Sequence, residues 1–138
     1  KELLYVLKNL PESMAGAKPQ DHTKATYAEK VTKEMGHIDW EQEASVIDAL
    51  IRGMYPSPGT YTYFHGKRIK IYAAFYENSD TAAIPKGTVV SLKDGNIGVA
   101  ATHGIIYLTM VQPENHKRMK TIDFINGYQV KTNDCFEY

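Results

Sequence analysis

Between Arg52 and Tyr76 the chain carries four basic side chains, Arg52, Lys67, Arg68 and Lys70, and no acidic one. A second basic group, Lys117, Arg118 and Lys120, follows in a later loop, and Lys24, Lys30 and Lys33 punctuate a polar stretch upstream. Side chains of this kind suit a phosphate backbone, because each neutralised phosphate releases bound counterions. A basic strand face is ordinarily just a solvated one, and lysines in a polar stretch are ordinarily a solvated linker. Charge alone therefore does not choose between an interface and plain surface.

Catalytic chemistry is hard to find. The histidines, His22, His37, His65, His103 and His116, show neither His-x-His nor HExxH spacing, and the single cysteine leaves no zinc pattern. No glycine-rich phosphate loop joins a strand to a helix. Ser57 sits between two prolines rather than in a nucleophile elbow. Cys135 has no evident activating partner and reads as an inert thiol. His65 and His103 fall in turns, where a conformational role is the simpler one. No catalytic residue, metal ligand or cofactor site is expected from these residues.

The elements that must position the basic groups follow from periodicity. Residues 1–17 read as a helix with a Leu3, Leu4, Leu7 and Leu10 stripe, which Pro11 kinks or ends. With no apolar partner nearby in sequence, this stripe is expected to pack on a domain not included here, the chain starting at Lys1 like a piece of something longer. Residues 18–37 read as an extended linker, with Tyr27 and Val31 as its anchors. A helix is expected over about Glu43 to Met54, with Val46, Ile47, Leu50, Ile51 and Met54 on its buried face and Gly53 at its left-handed end. Asp39 or Glu41 is expected to serve its free amides, and Trp40 to be core.

Pro56-Ser57-Pro58-Gly59 then turns the chain into a hairpin, Tyr61–Phe64 and Lys67–Tyr76, across His65-Gly66. Alternation puts Ile69, Ile71, Ala73 and Phe75 on the core face of its second strand, with Arg68, Lys70, Tyr72 and Tyr76 outward. Strands are expected over Thr88–Leu92, Ile97–Thr102 and Ile105–Val111, a short helix over Thr121–Asn126 closed by Gly127, and an edge strand in the tail. Short β-branched strands separated by turn residues suggest a small antiparallel sheet or barrel.

Composition sets the limits. The chain has 138 residues, 23% of them charged, and a formal net charge of +0. That neutral total hides an asymmetry: residues 1–50 balance to −3 and residues 51–138 to +3. One cysteine excludes an internal disulfide and fits a reducing, cytoplasmic setting. No apolar run approaches the ~20 residues a membrane span needs, so no membrane partner is expected.

ATYAEKVTKE, IDW, IRGMYPSPGTYTYFHGKRIKIYAA and QPENHKRMKTIDFINGY, in that order, resemble the C-terminal region of the methionyl-tRNA formyltransferase family. The resemblance runs from about Gln20 to the end, and residues 1–17 resemble the last helix of that family's catalytic domain. It implies an α+β, mainly β fold: a small open antiparallel β-barrel, OB-like, over residues 38–138, joined by the linker 18–37. It implies an enzyme whose missing N-terminal domain formylates initiator methionyl-tRNA with 10-formyltetrahydrofolate. This part would hold the tRNA. Carried onto this chain, the tRNA-contacting candidates are Lys30, Lys33, Arg52, Lys67, Arg68, Lys70, Lys117 and Arg118, acting on the backbone rather than reading sequence.

The departures are specific. The family's catalytic Asn, His and Asp have no counterpart here. Ser57 stands where relatives carry tryptophan between the two prolines, Lys120 replaces a serine that opens the last helix, leaving Thr121 as its cap, and Cys135 replaces an arginine. Two other readings stay open at this level: the equivalent region of a related formyltransferase-fold enzyme acting on a sugar nucleotide or formyl folate, and a structural or interaction module.

Overall fold

The structure, a computed structural model, describes residues 2–138; Lys1, the first residue of the expected N-terminal helix, lies outside them. The chain divides into two compact units, residues 1–30 and 31–138.

In the first unit the expected single helix is two, α1 (Glu2–Lys8) and α2 (Leu10–Ala15). The break at Asn9 places Pro11 in the first turn of α2, where its missing N–H would have had no intrahelical partner anyway. Leu3, Leu4 and Leu7 are exposed. Beyond α2 the backbone is irregular apart from one 3-10 turn, His22–Lys24, capped by Asp21, whose side chain accepts from the Thr23 amide at 3.0 Å. Tyr27, expected as an anchor of the linker, is 94% exposed.

The second unit opens with a 3-10 turn, Glu34–Gly36, and an extended segment in which His37 bridges Tyr61. Residues 31–37, expected in the linker, thus lie in this unit, although Val31 itself is exposed and is no anchor. Helix α3 (Ala44–Met54) follows. Its buried residues are Ala44, Ile47, Asp48 and Ile51, an i, i+3, i+4, i+7 stripe. Of the expected stripe, Ile47 and Ile51 are buried and Leu50 and Met54 partly so, whereas Val46 is half-exposed; Ala44 and Asp48 join the buried face, Asp48 because Arg52 pairs with it. Neither Asp39 nor Glu41 caps α3. Asp39 instead closes the preceding turn onto the Glu41 amide, and the first helical amide, Ala44, bonds Thr102 O at 3.0 Å. Gly53 stays helical; Gly59, at φ 79°, takes the left-handed conformation and donates its N–H to Met54 O across the Pro-Ser-Pro turn.

Among the described residues seven strands form one antiparallel sheet: β1 (Thr60–Phe64), β2 (Lys67–Asn78), β3 (Val89–Lys93), β4 (Asn96–Ala101), β5 (Gly104–Pro113), β6 (Met119–Lys120) and β7 (Phe136–Glu137). The order is β3-β4-β5-β2-β1-β7, with β6 on β5. Tight turns carry the left-handed backbone their geometry needs, His65-Gly66 between β1 and β2 and Asp94-Gly95 between β3 and β4. The tail closes the curl. Beside its pairing with β1 in β7, Phe136 N bonds Gly87 O, and the Val89 amide bonds Asp134 O, both at 2.8 Å. Gly87 is required there, since its φ is 83° and a Cβ would run into Phe136 O. The product is the curled, open barrel expected, with Phe64, Ile69, Ile71, Ile106, Leu108 and Phe136 among the buried residues inside it.

One strand departs from its expected alternation. The β2–β5 register shifts between Ile71 and Ala73 and again before Ala74. The bulge adds a residue and reverses the phase. Phe75, expected in the core, faces out, half-exposed and stacked on Tyr107 at 5.0 Å. Near the C-terminus α4 (Thr121–Tyr128) runs through Gly127 and ends at Gln129, which is left-handed. Thr121 does not cap it; its hydroxyl donates to Gly95 O at 2.7 Å, tying the helix to the β3–β4 turn.

Candidate nucleic-acid interface

The outer face of β1, β2 and β5 is built by the alternation of β2 before its bulge. Ile69 and Ile71 point inward, so Arg68, Lys70 and Tyr72 point outward, beside Tyr61 and Tyr63 of β1 and Gln112 of β5. Arg68 lies over the Tyr61 ring, its guanidinium carbon 3.9 Å from the centroid. His37 approaches the same ring from the other edge of β1, stacked at 4.8 Å with 9° between planes, and Tyr138 packs on His37 at 4.5 Å. On the far side of Lys70, Arg118 lies 3.7 Å over Tyr72, with Tyr55 edge-on to Tyr72 at 6.4 Å. Two arginine–tyrosine stacks thus flank one lysine.

Hydrogen bonds fix this arrangement. The Tyr72 hydroxyl donates to Gln112 Oε1 at 2.8 Å, and Gln112 Nε2 donates to His116 O at 2.7 Å. The loop carrying Lys117 and Arg118 is thereby tied to the strand carrying Tyr72. Between the stacks, Arg68, Lys70 and Gln112 line a polar hollow of about 230 Å³, together with Pro113, Glu114 and Asn115. Arg68 Nε is buried there without a hydrogen-bond partner among the described residues. Beyond Tyr72 lies a second recess of about 390 Å³, more apolar, bounded by Ile51, Tyr55, Tyr72, Ala74, Met110 and Arg118.

The sequence-derived candidates divide. Arg68, Lys70 and Arg118 share this face. Arg52 reaches its rim, but its Nε is 2.8 Å from Asp48, so part of its charge is already answered. Lys67 pairs across from buried Phe64, on the opposite side of the strand, and lines a hollow with His116 and Tyr128. Lys117 is exposed on the loop beside Arg118. Lys33 stands near the Arg68 end: both add positive charge around Glu34, whose carboxyl is held below its ordinary value mainly by hydrogen bonding to its own backbone amide and to Thr32. Lys30 belongs to the first unit. The rings of Tyr55 and Tyr61 and the amide of Gln112 were not singled out in the sequence. The signal that was there is the phase match of Tyr61 with Arg68 and Lys70 across a two-residue turn.

What this face offers is flat: guanidinium planes laid on rings, leaving N–H edges for phosphate oxygens. Among the described residues no group of three or more His, Cys, Asp or Glu side chains gathers to hold a metal, and no helix is long and apolar enough to cross a membrane.

Comparison with known proteins agrees with the fold and adds a lineage. The formyl transferase, C-terminal domain family matches residues 30–129. The methionyl-tRNA formyltransferase of Dictyoglomus turgidum is 39% identical over 137 residues, covering 98% of this chain and 44% of that protein. Those of Bdellovibrio bacteriovorus and Chlamydia muridarum are 37% and 42% identical, over 94% and 88% of this chain and 40% and 41% of their own lengths. The chain therefore spans less than half of these relatives. Among solved structures, HypX from Aquifex aeolicus superimposes with a TM-score of 0.62 at 17% identity, over 96% of this chain and 23% of that one.

Proposed function

Because the chain belongs to the formyl transferase, C-terminal domain family, we propose that it is the tRNA-holding part of a cytoplasmic methionyl-tRNA formyltransferase. In this reading a preceding catalytic domain transfers the formyl group from 10-formyltetrahydrofolate to the methionine of initiator tRNA. The present chain contributes position, not bond-making. Its outer face would grip the tRNA backbone and so fix the aminoacyl end at the distant site. Orientation of this kind lowers a barrier by converting a loose encounter into a held one.

The observation that carries the proposal is the pair of stacks, Arg68 on Tyr61 and Arg118 on Tyr72, either side of Lys70. Three cations are set on one face with rings restricting two of them, which reduces the side-chain entropy lost on binding. The contacts would be to phosphates, which orient a duplex without reading its sequence.

Titration of the 138-residue chain with initiator tRNA at several salt concentrations tests this. Binding should weaken linearly on a log–log scale. Replacing Arg68, Lys70 and Arg118 together with glutamine should flatten the slope by up to about three phosphate equivalents. Absent or salt-independent binding would overturn the proposal.

A further inference from the structure

The geometry points to an unpaired nucleobase as the occupant of the recess bounded by Tyr55, Tyr72 and Arg118, an inference that rests on the RNA-binding function proposed above. The recess has the chemistry of a base. Its floor, from Ile51, Ala74 and Met110, is apolar, and its walls are two phenol rings and the side chains of Arg52 and Arg118. Bases stack on such planes, whichever base it is, because each has a π-face. Arg118 lies over Tyr72 and is itself exposed, so its outward side is available for a further layer. Tyr55 is 52% exposed, its ring centroid 5.9 Å from the Arg118 guanidinium carbon.

Position favours the same occupant. The recess and the Arg68–Lys70 hollow share a wall: Tyr72 lines the first, Gln112 lines the second, and the Tyr72 hydroxyl bonds Gln112 at 2.8 Å. A cationic hollow beside an aromatic recess fits a nucleotide, with its phosphate in one and its base in the other. Arg52 also lines the recess, but its Nε is paired with Asp48, so its charge is already partly answered where a neutral base would sit. The bulge at Tyr72–Ala73 sets the opening at the place where strand alternation breaks. A base held in a duplex has its faces covered by its neighbours. Only an unpaired or looped-out one can enter.

The test compares two RNAs: a blunt, fully paired duplex, and the same duplex with one bulged 2-aminopurine. At fixed salt the 138-residue chain should bind the bulged duplex about tenfold more tightly, the gain of one stacked base, and should quench the 2-aminopurine emission. Tyr55→Ala should bring the bulged duplex down to the affinity of the paired one, and Tyr55→Phe should restore the difference. Circular dichroism and the Tyr55→Phe variant separate a lost recess from a lost fold. Equal affinity for the two duplexes, each with a steep salt slope, would overturn the inference while leaving the phosphate-binding function standing. A bulge preference that survives Tyr55→Ala would also overturn it, placing the base elsewhere. Failure of both RNAs to bind would overturn both.

Discussion

The guanidinium of Arg118 lies 3.7 Å over the ring of Tyr72, joining the loop after β5 to the strand that leads out of the basic hairpin. Tyr72 in turn holds Gln112, which bonds back to His116 in the same loop. The stack is therefore one member of a closed ring of contacts. A double-mutant cycle with Arg118→Ala and Tyr72→Leu should show a favourable coupling in chemical unfolding, each substitution costing less once the other has been made. Additive single effects would mean that the two side chains do not support each other in solution.

Lys67 and Lys70 are separated by two residues and by the strand itself. Lys70 stands with Arg68 and Arg118, whereas Lys67 pairs across from buried Phe64 and opens toward His116 and Tyr128. A purely compositional patch would treat the two lysines alike. Here Lys70→Gln should lower the salt slope of tRNA binding by about one phosphate equivalent, and Lys67→Gln should change it far less. Equal losses in parallel titrations would show that the RNA wraps the end of the barrel as well as its face.

Much of this could be read from the sequence, and the errors have identifiable causes. The hairpin at His65-Gly66 was legible because a two-residue turn with positive φ fixes register, and register fixes which of Arg68 and Ile69 is outside. Trp40 in the core, the end strand in the tail and the open barrel were legible for similar reasons of pattern. Phe75 was not: alternation predicts its face only until a bulge intervenes, and the bulge comes from tertiary pairing with β5. Val46 was expected inward and is half-exposed, while Asp48 is buried, because a charged residue can take an inward position once Arg52, one turn on, answers it. The Arg68–Tyr61 stack lies within the hairpin, where register places the two together, whereas the stack on Tyr72 needs Arg118 from another segment, and no local spacing announces it.

Thr62 links the core to the closing strand. Its hydroxyl accepts from Trp40 Nε1 at 3.1 Å and donates to Glu137 O at 2.8 Å, and the residue is fully buried. Thr62→Val preserves shape but leaves the indole N–H without a partner and removes the donor to Glu137 O. Since a buried unpaired polar group costs about 1–3 kcal/mol, thermal or denaturant unfolding should show a loss in that range, while Thr62→Ser should recover most of it. A neutral Thr62→Val would mean that water replaces the hydroxyl in both roles.

Cys135 gives the clearest dependence on pH. The residue is exposed as a whole, but partial desolvation of its sulfur, and secondarily the charge of Glu137, push its thiol above the ordinary cysteine value. The residue sits where the tail meets Thr88, so its environment exists only when the barrel is closed. In the unfolded chain the thiol ionises first as pH rises, near about 8.5. The fold prefers the neutral thiol, so its contribution to stability is complete below that pH and is lost as pH climbs through the higher folded value. Alkylation by iodoacetamide, which needs the thiolate, should be slower in the native protein than in denatured protein at pH 8, with the native rate rising at higher pH. Cys135→Ser should remove this part of the alkaline loss of stability. Faster alkylation of the native form at pH 8 would show that the tail leaves the thiol open to activation, contrary to its place against Thr88.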